Sequence, residues 1–296
     1  MVDVAYIFPG QGAQYVGMGK GLYDNHEIAR KTFEYANDIL GFDLIKLCFQ
    51  GPAEELTKTQ NCQVAILVSS IAALRVHLLT PSDFTPQVAL GLSLGEYTAL
   101  VCAETISFSD AIKLVRLRGQ FMEEASKENP GKMASIIGLD IEQAEKVCQK
   151  SGAEIANLNC PGQIVVSGST ISVDDALVLA KENGAKRVVV LDVSGAFHSA
   201  LMAGASHKLK EALKHIEFMP PKIPVVSNVS AYSQDVPETI KENLVDQLSS
   251  TTRWEESVRN VAACGIKHFL EIGPGIVLKG LLKRIDPELV CQNIPA

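Results

Sequence analysis

The chain has 296 residues, 47% of them apolar and 21% charged, so it can bury a full core and exceeds the usual size of one domain. One large domain with a smaller insert is expected. A formal charge of −7 argues against nucleic acid or an anionic membrane as partner. The seven cysteines (48, 62, 102, 148, 160, 264 and 291) are odd in number and include no C-x-x-C pair, which fits free thiols in a reducing cytoplasm better than disulfides or a zinc site.

From the N-terminus, Met1–Phe8 carries an early acid and no basic stretch, and it reads as a first strand over Val4–Phe8 rather than a signal peptide. Helices are predicted near Glu27–Leu40 and Val64–Leu79. The second is the longest apolar region, but two serines, Arg75 and His77 interrupt it, so it reads as a buried helix and not a membrane span. A short strand follows at Gln87–Leu90. This alternation predicts a parallel sheet covered by helices.

The middle third changes character. Met133–Leu139 reads as a strand, and Asp140-Ile-Glu-Gln143 as a capping box opening a helix to about Lys150. Glu154–Leu158 and Gln163–Ser167 are short strands around the turn-forming Asn159-Cys-Pro-Gly162. Ser172-Val-Asp-Asp175 starts a second helix that Gly184 ends, and Arg187–Val193 is a last β-branched strand. The order β-α-β-β-α-β is that of a ferredoxin-like unit inserted into the larger domain. Beyond His198, Ile223–Asn228 and His268–Ile272 are the candidate strands.

Gly91-Leu-Ser-Leu-Gly95 is a G-x-S-x-G sequence between the apolar Val88–Leu90 and a helical stretch from Glu96. That context predicts Ser93 as a nucleophile on a sharp turn, with the helix N–H groups aimed at a developing oxyanion. Its plainer alternative is a glycine-rich strand–helix turn. A serine needs a base. Of six histidines, His198 stands out, because it follows a predicted strand and the small Ser194-Gly195-Ala196, where open sheets assemble sites. Asp192, Asp235 and Asp246 are all open as a third member. Arg118 falls on the inward stripe Ala111, Val115, Arg118, Met122 and Ala125 of a helix over Asp110–Ala125, whereas Arg116 lies on the wetter side. A buried arginine needs an anion. Either an internal carboxylate or a substrate carboxylate held bidentately would supply it.

Phe8-Pro-Gly-Gln-Gly-Ala-Gln14, Gly91-Leu-Ser-Leu-Gly-Glu96, Arg118-Gly-Gln-Phe-Met122, Asn159-Cys-Pro-Gly-Gln163, Gly195-Ala-Phe-His-Ser199 and Glu271-Ile-Gly-Pro-Gly275 occur in this order. Together, over residues 4 to 285, they resemble the malonyl-CoA:acyl carrier protein transacylases of fatty acid and polyketide synthesis. The resemblance implies an α/β-hydrolase-like large subdomain with a parallel sheet (1–128 and 198–296) and a ferredoxin-like small one (129–197). It makes Ser93 the acyl carrier and His198 the base, with the main-chain N–H groups of Gln11 and Leu94 as the oxyanion hole. Arg118 would bind the malonyl carboxylate. Gln247 matches the residue whose carbonyl steadies the histidine in place of an acid, and Asn159 matches the asparagine of the family's N-x-P-G-Q stretch.

One departure is Leu92, where many relatives have a histidine that can donate a hydrogen bond. Phe197, just before the base, goes with malonyl rather than methylmalonyl choice in modular relatives. The implied partners are malonyl-CoA and an acyl carrier protein, with no metal and no cofactor beyond the coenzyme A thioester substrate. A cytoplasmic monomer is expected, and a single catalytic unit favours fatty acid over polyketide synthesis. An acyl hydrolase with the same Ser/His pair is the rival enzyme, and a scaffold on a dead acyltransferase fold the rival of another class. The basic groups Lys279, Lys283 and Arg284, or Lys186 and Arg187, are candidate docking points for an acidic carrier.

Overall fold

The computed structural model describes residues 2–296. Met1, the first residue of the run read as a strand, lies outside the described residues. β1 (Val2–Phe8) leads into five helices: α1 (Lys20–Asn25), α2 (Glu27–Leu40), α3 (Leu44–Gln50), α4 (Ala53–Thr57) and α5 (Thr59–His77). β2 (Phe84–Gly91), α6 (Leu94–Cys102) and α7 (Phe108–Glu128) complete the first part of the large subdomain. It resumes with α10 (Ala203–Leu213), β7 (Val225–Val226), β8 (Ser233–Gln234), α11 (Pro237–Gln247), α12 (Trp254–Ala263), β9 (His268–Gly273), α13 (Val277–Ile285) and β10 (Val290–Pro295). Between them stand β3 (Gly131–Ile137), α8 (Ile141–Ser151), β4 (Glu154–Cys160), β5 (Gln163–Ser169), α9 (Thr170–Glu182) and β6 (Arg187–Val190).

The large sheet has the order β10-β9-β1-β2-β7-β8, parallel except for the β7–β8 pair at one edge. β1 lies inside the sheet with helices on both faces, and Val4–Phe8 is buried throughout. That is why it reads as an unbroken apolar run rather than an alternating one. α5 fills one face and is buried from Cys62 to Leu74, while α12 and α13 cover the other through Trp254, Val258, Leu278 and Leu282. The β1–β2 register pairs Phe8 with Gly91, so the two strands end side by side. The loops that follow them, Pro9–Gln14 and the serine turn, therefore emerge together at the carboxyl edge, where open sheets build sites.

The second sheet has the order β4-β5-β3-β6 with every pair antiparallel, and α8 and α9 pack on it. This is the ferredoxin-like arrangement that the β-α-β-β-α-β order predicts. Its capping box is complete: Asp140 accepts from Gln143 N–H, and the Gln143 side chain returns to Asp140 N–H.

Several boundaries differ for identifiable reasons. α9 starts at Thr170 and not at Ser172, because the Ser169 side chain accepts from Ser172 N–H and caps the helix earlier. The β4–β5 turn is two residues, Pro161-Gly162, since Cys160 and Gln163 already pair across the ladder. β6 stops at Val190, three residues short of the predicted end, and β7 is two residues long within the predicted Ile223–Asn228 strand. β8 and β10 carry no alternation that marks them in advance. No helix among the described residues is long and apolar enough to cross a membrane.

Candidate active site

β2 ends at Gly91 and α6 opens at Leu94, so Leu92 and Ser93 must turn the chain between them. Ser93 does so with φ 51° and ψ −103°, a conformation that residues with a β-carbon rarely adopt. The flanking glycines are required by space. A β-carbon at Gly91 would lie 1.8 Å from the Gly95 carbonyl carbon, and one at Gly95 would lie 2.1 Å from the Phe8 carbonyl oxygen. Asn228 clamps the turn: its Oδ1 accepts from Ser93 N–H at 2.6 Å and its Nδ2 donates to the Gly91 carbonyl at 2.7 Å. Across the turn, a β-carbon on Gly10 would meet the Leu92 carbonyl oxygen at 2.3 Å, so the Pro9–Gln14 loop lies against the elbow.

His198 does not sit at a strand end, where its place after the Arg187–Val193 run put it. It lies in the connection that returns from β6 to the large subdomain, with φ 58°, and its N–H donates to the Leu248 carbonyl at 3.0 Å. Nδ1 lies 2.7 Å from the Gln247 carbonyl oxygen and Nε2 lies 3.0 Å from Ser93 Oγ. A carbonyl only accepts, so the ring hydrogen is on Nδ1, and Nε2 is free to accept the Ser93 hydroxyl proton. Among the described residues Asp192, Asp235 and Asp246 make no bond to the ring, which also has Thr252 Oγ1 at 3.5 Å and the main chain of Ser250 beside it. Burial, and then the charge of Arg118, push the His198 pKa down to about 4, so the ring is neutral at pH 7. The other histidines lie off this cavity.

The inward stripe of α7 is buried as predicted, and Arg118 on it has 0% exposure. Its NH1 donates to Gln63 Oε1 at 2.6 Å, and its NH2 donates to Ser93 Oγ and Gln247 Oε1, each at 3.0 Å. The guanidinium also stands 5.2 Å from the Tyr97 ring centroid, while its Nε has no partner among the described residues. No carboxylate lies within ion-pair distance of it among the described residues, so the internal ion pair weighed from sequence is not formed. Arg116, in contrast, is half-buried and donates to the Gln60 carbonyl and Asn61 Oδ1.

Residues 5–285 match the family model of the acyl transferase domain. The chain belongs to the acyl transferase domain family. It is 48% identical over 294 residues to the malonyl CoA-acyl carrier protein transacylase of Bacillus subtilis, covering 98% of this chain and 92% of that protein. Its fold is similar to the crystal structure of an acyl carrier protein S-malonyltransferase from Vibrio cholerae, with a TM-score of 0.95 and 43% identity over 99% of this chain and 96% of that one. A third relative is a malonyl-transacylase solved in complex with a type II PKS acyl-carrier protein, with a TM-score of 0.96, 43% identity and coverage of 99% and 96%.

The cavity of this acyl transferase measures about 370 Å³ and lies between the two sheets. Gln11, Leu92, Ser93, Phe197 and His198 form its floor, Asn159 and Val165 of the small sheet one wall, and Val277 and Leu281 of α13 another. Leu92 packs beside the Trp254 cluster and presents an apolar side chain. Asn159 Oδ1 is buried with no partner among the described residues. Arg118 and Gln247 are not on the open wall; they lie behind Ser93 and reach it through the bonds given above. Sequence reasoning missed Gln63 and Asn228. Gln63 is 1% exposed on the apolar α5, and a lone amide on such a helix is a signal that a buried partner exists. Asn228 closes a predicted strand of the same sheet as Ser93, which places it at the same edge.

Proposed function

We propose that this acyl transferase moves a malonyl group from coenzyme A to the phosphopantetheine thiol of an acyl carrier protein through an ester on Ser93. The observation that carries the reading is Arg118, a fully buried cation 3.0 Å from the nucleophile and bonded only to neutral acceptors. Burying such a charge unpaired costs several kcal/mol, so the site is built to receive an anion. The free carboxylate of malonyl would take the acceptor places now held by Ser93 Oγ and Gln63 Oε1. An acyl hydrolase with the same serine and histidine would have no such use for a buried cation.

In the first half-reaction Ser93 Oγ attacks the thioester carbonyl and its proton passes to His198 Nε2. Leu94 N–H, at the first position of α6 and without an intrahelical acceptor, and Gln11 N–H stabilise the oxyanion. The carbon–sulfur bond breaks, and the coenzyme A sulfur leaves with the proton from His198. In the second half-reaction the carrier thiol gives its proton to His198 and attacks the ester, and Ser93 Oγ leaves with that proton. The cycle balances without metal or redox cofactor. The Gln247 carbonyl keeps the proton on Nδ1 throughout, as a carboxylate would in other triads.

Phe197, 5% exposed beside the base, narrows the cavity against a methyl branch, and Leu92 offers an apolar wall where many relatives have histidine. Asn159 Oδ1 is available to an N–H of the pantetheine arm. The catalytic subdomain is taken as 1–128 and 198–296, with 129–197 as the small one, since α7 ends at Glu128 and β3 opens at Gly131. A cytoplasmic location is supported by seven cysteines that are all free.

Intact-mass measurement tests the assignment. Malonyl-CoA alone should add one malonyl group to the wild type and none to Ser93→Ala. Loss of one or two charge-assisted bonds of about 1.5–3 kcal/mol each in Arg118→Ala should slow malonyl loading roughly 10- to 1,000-fold, while acetyl loading falls far less. Equal losses for both acyl groups would remove malonyl as the preferred substrate, and an adduct on another residue would remove the mechanism.

A further inference from the structure

Of two fully buried carboxylates that the mechanism so far leaves unused, Glu271 accepts the Leu278 and Lys279 N–H groups at the start of α13, whereas Glu96 stands beside the nucleophile. Glu96, three residues past the nucleophile, has 0% exposure and no cation within ion-pair distance among the described residues. Its carboxylate accepts three hydrogen bonds. Oε2 takes Asn228 N–H at 3.0 Å and Gln247 Nε2 at 2.7 Å, and Oε1 takes Gln234 Nε2 at 3.0 Å. Two of these donors belong to residues that themselves hold the reacting groups. Asn228 clamps the elbow through Ser93 N–H and the Gly91 carbonyl. Gln247 does more: its main-chain oxygen holds His198 Nδ1, its Oε1 holds Arg118, and its Nε2 also reaches the Ser93 carbonyl.

We propose that Glu96 is a positioning residue for acyl transfer, fixing the elbow, the histidine and the arginine together through Asn228 and Gln247. The orientation argument is one of donors and acceptors. The Gln247 amide has two faces, and Arg118 can only donate, so Oε1 must face Arg118 and Nε2 must face an acceptor. An ionised carboxylate is an acceptor on both oxygens and settles that choice. With the amide locked, the main chain of Gln247 cannot rotate away from His198 without breaking the side-chain bonds. The same carboxylate places a negative charge one residue away from Arg118, which offsets the buried cation without occupying it. A direct ion pair would have taken the place the substrate needs. Burial outweighs the bonds from Asn228, Gln247 and Gln234 and the charge of Arg118, leaving the Glu96 pKa raised to about 7, so the carboxylate is ionised above that pH.

The inference rests on the Ser93–His198 chemistry proposed above but not on malonyl as the group carried. Phenylmethylsulfonyl fluoride, which needs the nucleophile and its base but has no carboxylate, therefore separates the two questions. Glu96→Gln keeps the size of the side chain but replaces one of its two acceptor oxygens by a donor, so Asn228 N–H, Gln247 Nε2 and Gln234 Nε2 compete for the one that remains and the Gln247 amide loses its fixed orientation. Glu96→Gln should slow both sulfonylation of Ser93 and malonyl loading roughly 10- to 100-fold, the scale of a misplaced catalytic group. Gln247→Met, which keeps the main-chain carbonyl but loses the amide, should slow sulfonylation similarly. The double variant should be no more than about 3-fold slower than Gln247→Met, because the two residues act in series. Gln234→Ala removes a Glu96 partner that touches none of the reacting groups; it should lower the melting temperature yet leave sulfonylation within about 3-fold of wild type. Normal sulfonylation in Glu96→Gln, multiplying losses in the double variant, or an equal loss in Gln234→Ala would each overturn the proposal. If Glu96→Gln fails to fold, a normal rate in Gln247→Met overturns it instead. Slow malonyl loading with slow sulfonylation supports Glu96, whereas loss of malonyl preference at normal sulfonylation bears only on the substrate.

Discussion

His198 shows at the scale of one residue how burial prepares a group for chemistry. The ring is 5% exposed, beside the Arg118 cation, and its proton is fixed on Nδ1 by a main-chain carbonyl. The folded pKa is therefore about 4 against an ordinary 6.5, so the unfolded chain binds a proton that the folded chain refuses. The stability this contributes is fully present above pH 6.5 and is lost as pH falls towards 4, at about 1.4 kcal/mol per unit and so on the order of 3 kcal/mol in all. His198→Gln has no such proton to take up. Denaturant unfolding of both proteins between pH 7.5 and pH 4 should show the wild type losing about that much more than the variant across this window. Parallel curves would mean that the imidazole is not desolvated in the fold.

At the scale of an element, α13 joins the cavity to the outer surface. Its buried face carries Leu278, Leu281, Leu282 and Ile285, and Leu281 with Val277 reaches the cavity wall. Its other face exposes Lys279, Lys283 and Arg284. Arg284 bonds Gln163 at the β4–β5 turn, while Gly138, whose N–H donates to the Gly162 carbonyl of the same turn, packs against Lys186. The two basic groups picked out from sequence thus flank one hairpin rather than lying on unrelated surfaces. An acidic carrier approaching the cavity would meet them together. Exposed charge pairs are each worth about 0.2–1 kcal/mol, so Lys279→Glu with Lys283→Glu should raise the KM for carrier protein roughly 2- to 10-fold. Malonyl loading from malonyl-CoA should stay unchanged, and an unchanged KM at low salt would remove α13 as a docking element.

At the scale of the molecule, the two subdomains are joined by main-chain bonds as well as by the cavity. Thr252 N–H donates to the Ala156 carbonyl and Leu158 N–H to the Thr252 carbonyl, so β4 is tied to the loop before α12 next to His198. Calorimetry should accordingly show one cooperative transition, with the calorimetric and van't Hoff enthalpies equal. Two resolved transitions would mean that the small subdomain unfolds on its own. What the sequence by itself determined is what has a local cause. The elbow is set by glycines that no larger residue can replace, α8 by its capping box, α7 by a stripe of period 3.6, and β1 by an apolar run covered on both faces. From these came the two-subdomain fold and the candidate residues Ser93 and Arg118. Local pattern did not mark the residues that hold them, because these come from distant segments: Gln247 entered only through the family resemblance, and Asn228 and Gln63 not at all. Gln247 is 49 residues from His198 and 154 from Ser93, and Asn228 is 135 from Ser93. The short β7 and β8 and the edge strand β10 also depend on pairing with a sheet already formed, and such pairing leaves no periodic mark. Whether the buried arginine faced an internal acid or was kept for a substrate was likewise a question of three-dimensional distance. The tertiary structure shows no direct ion pair among the described residues: it places neutral amides around the guanidinium and Glu96 behind Gln247, an arrangement that supports the substrate role proposed for Arg118.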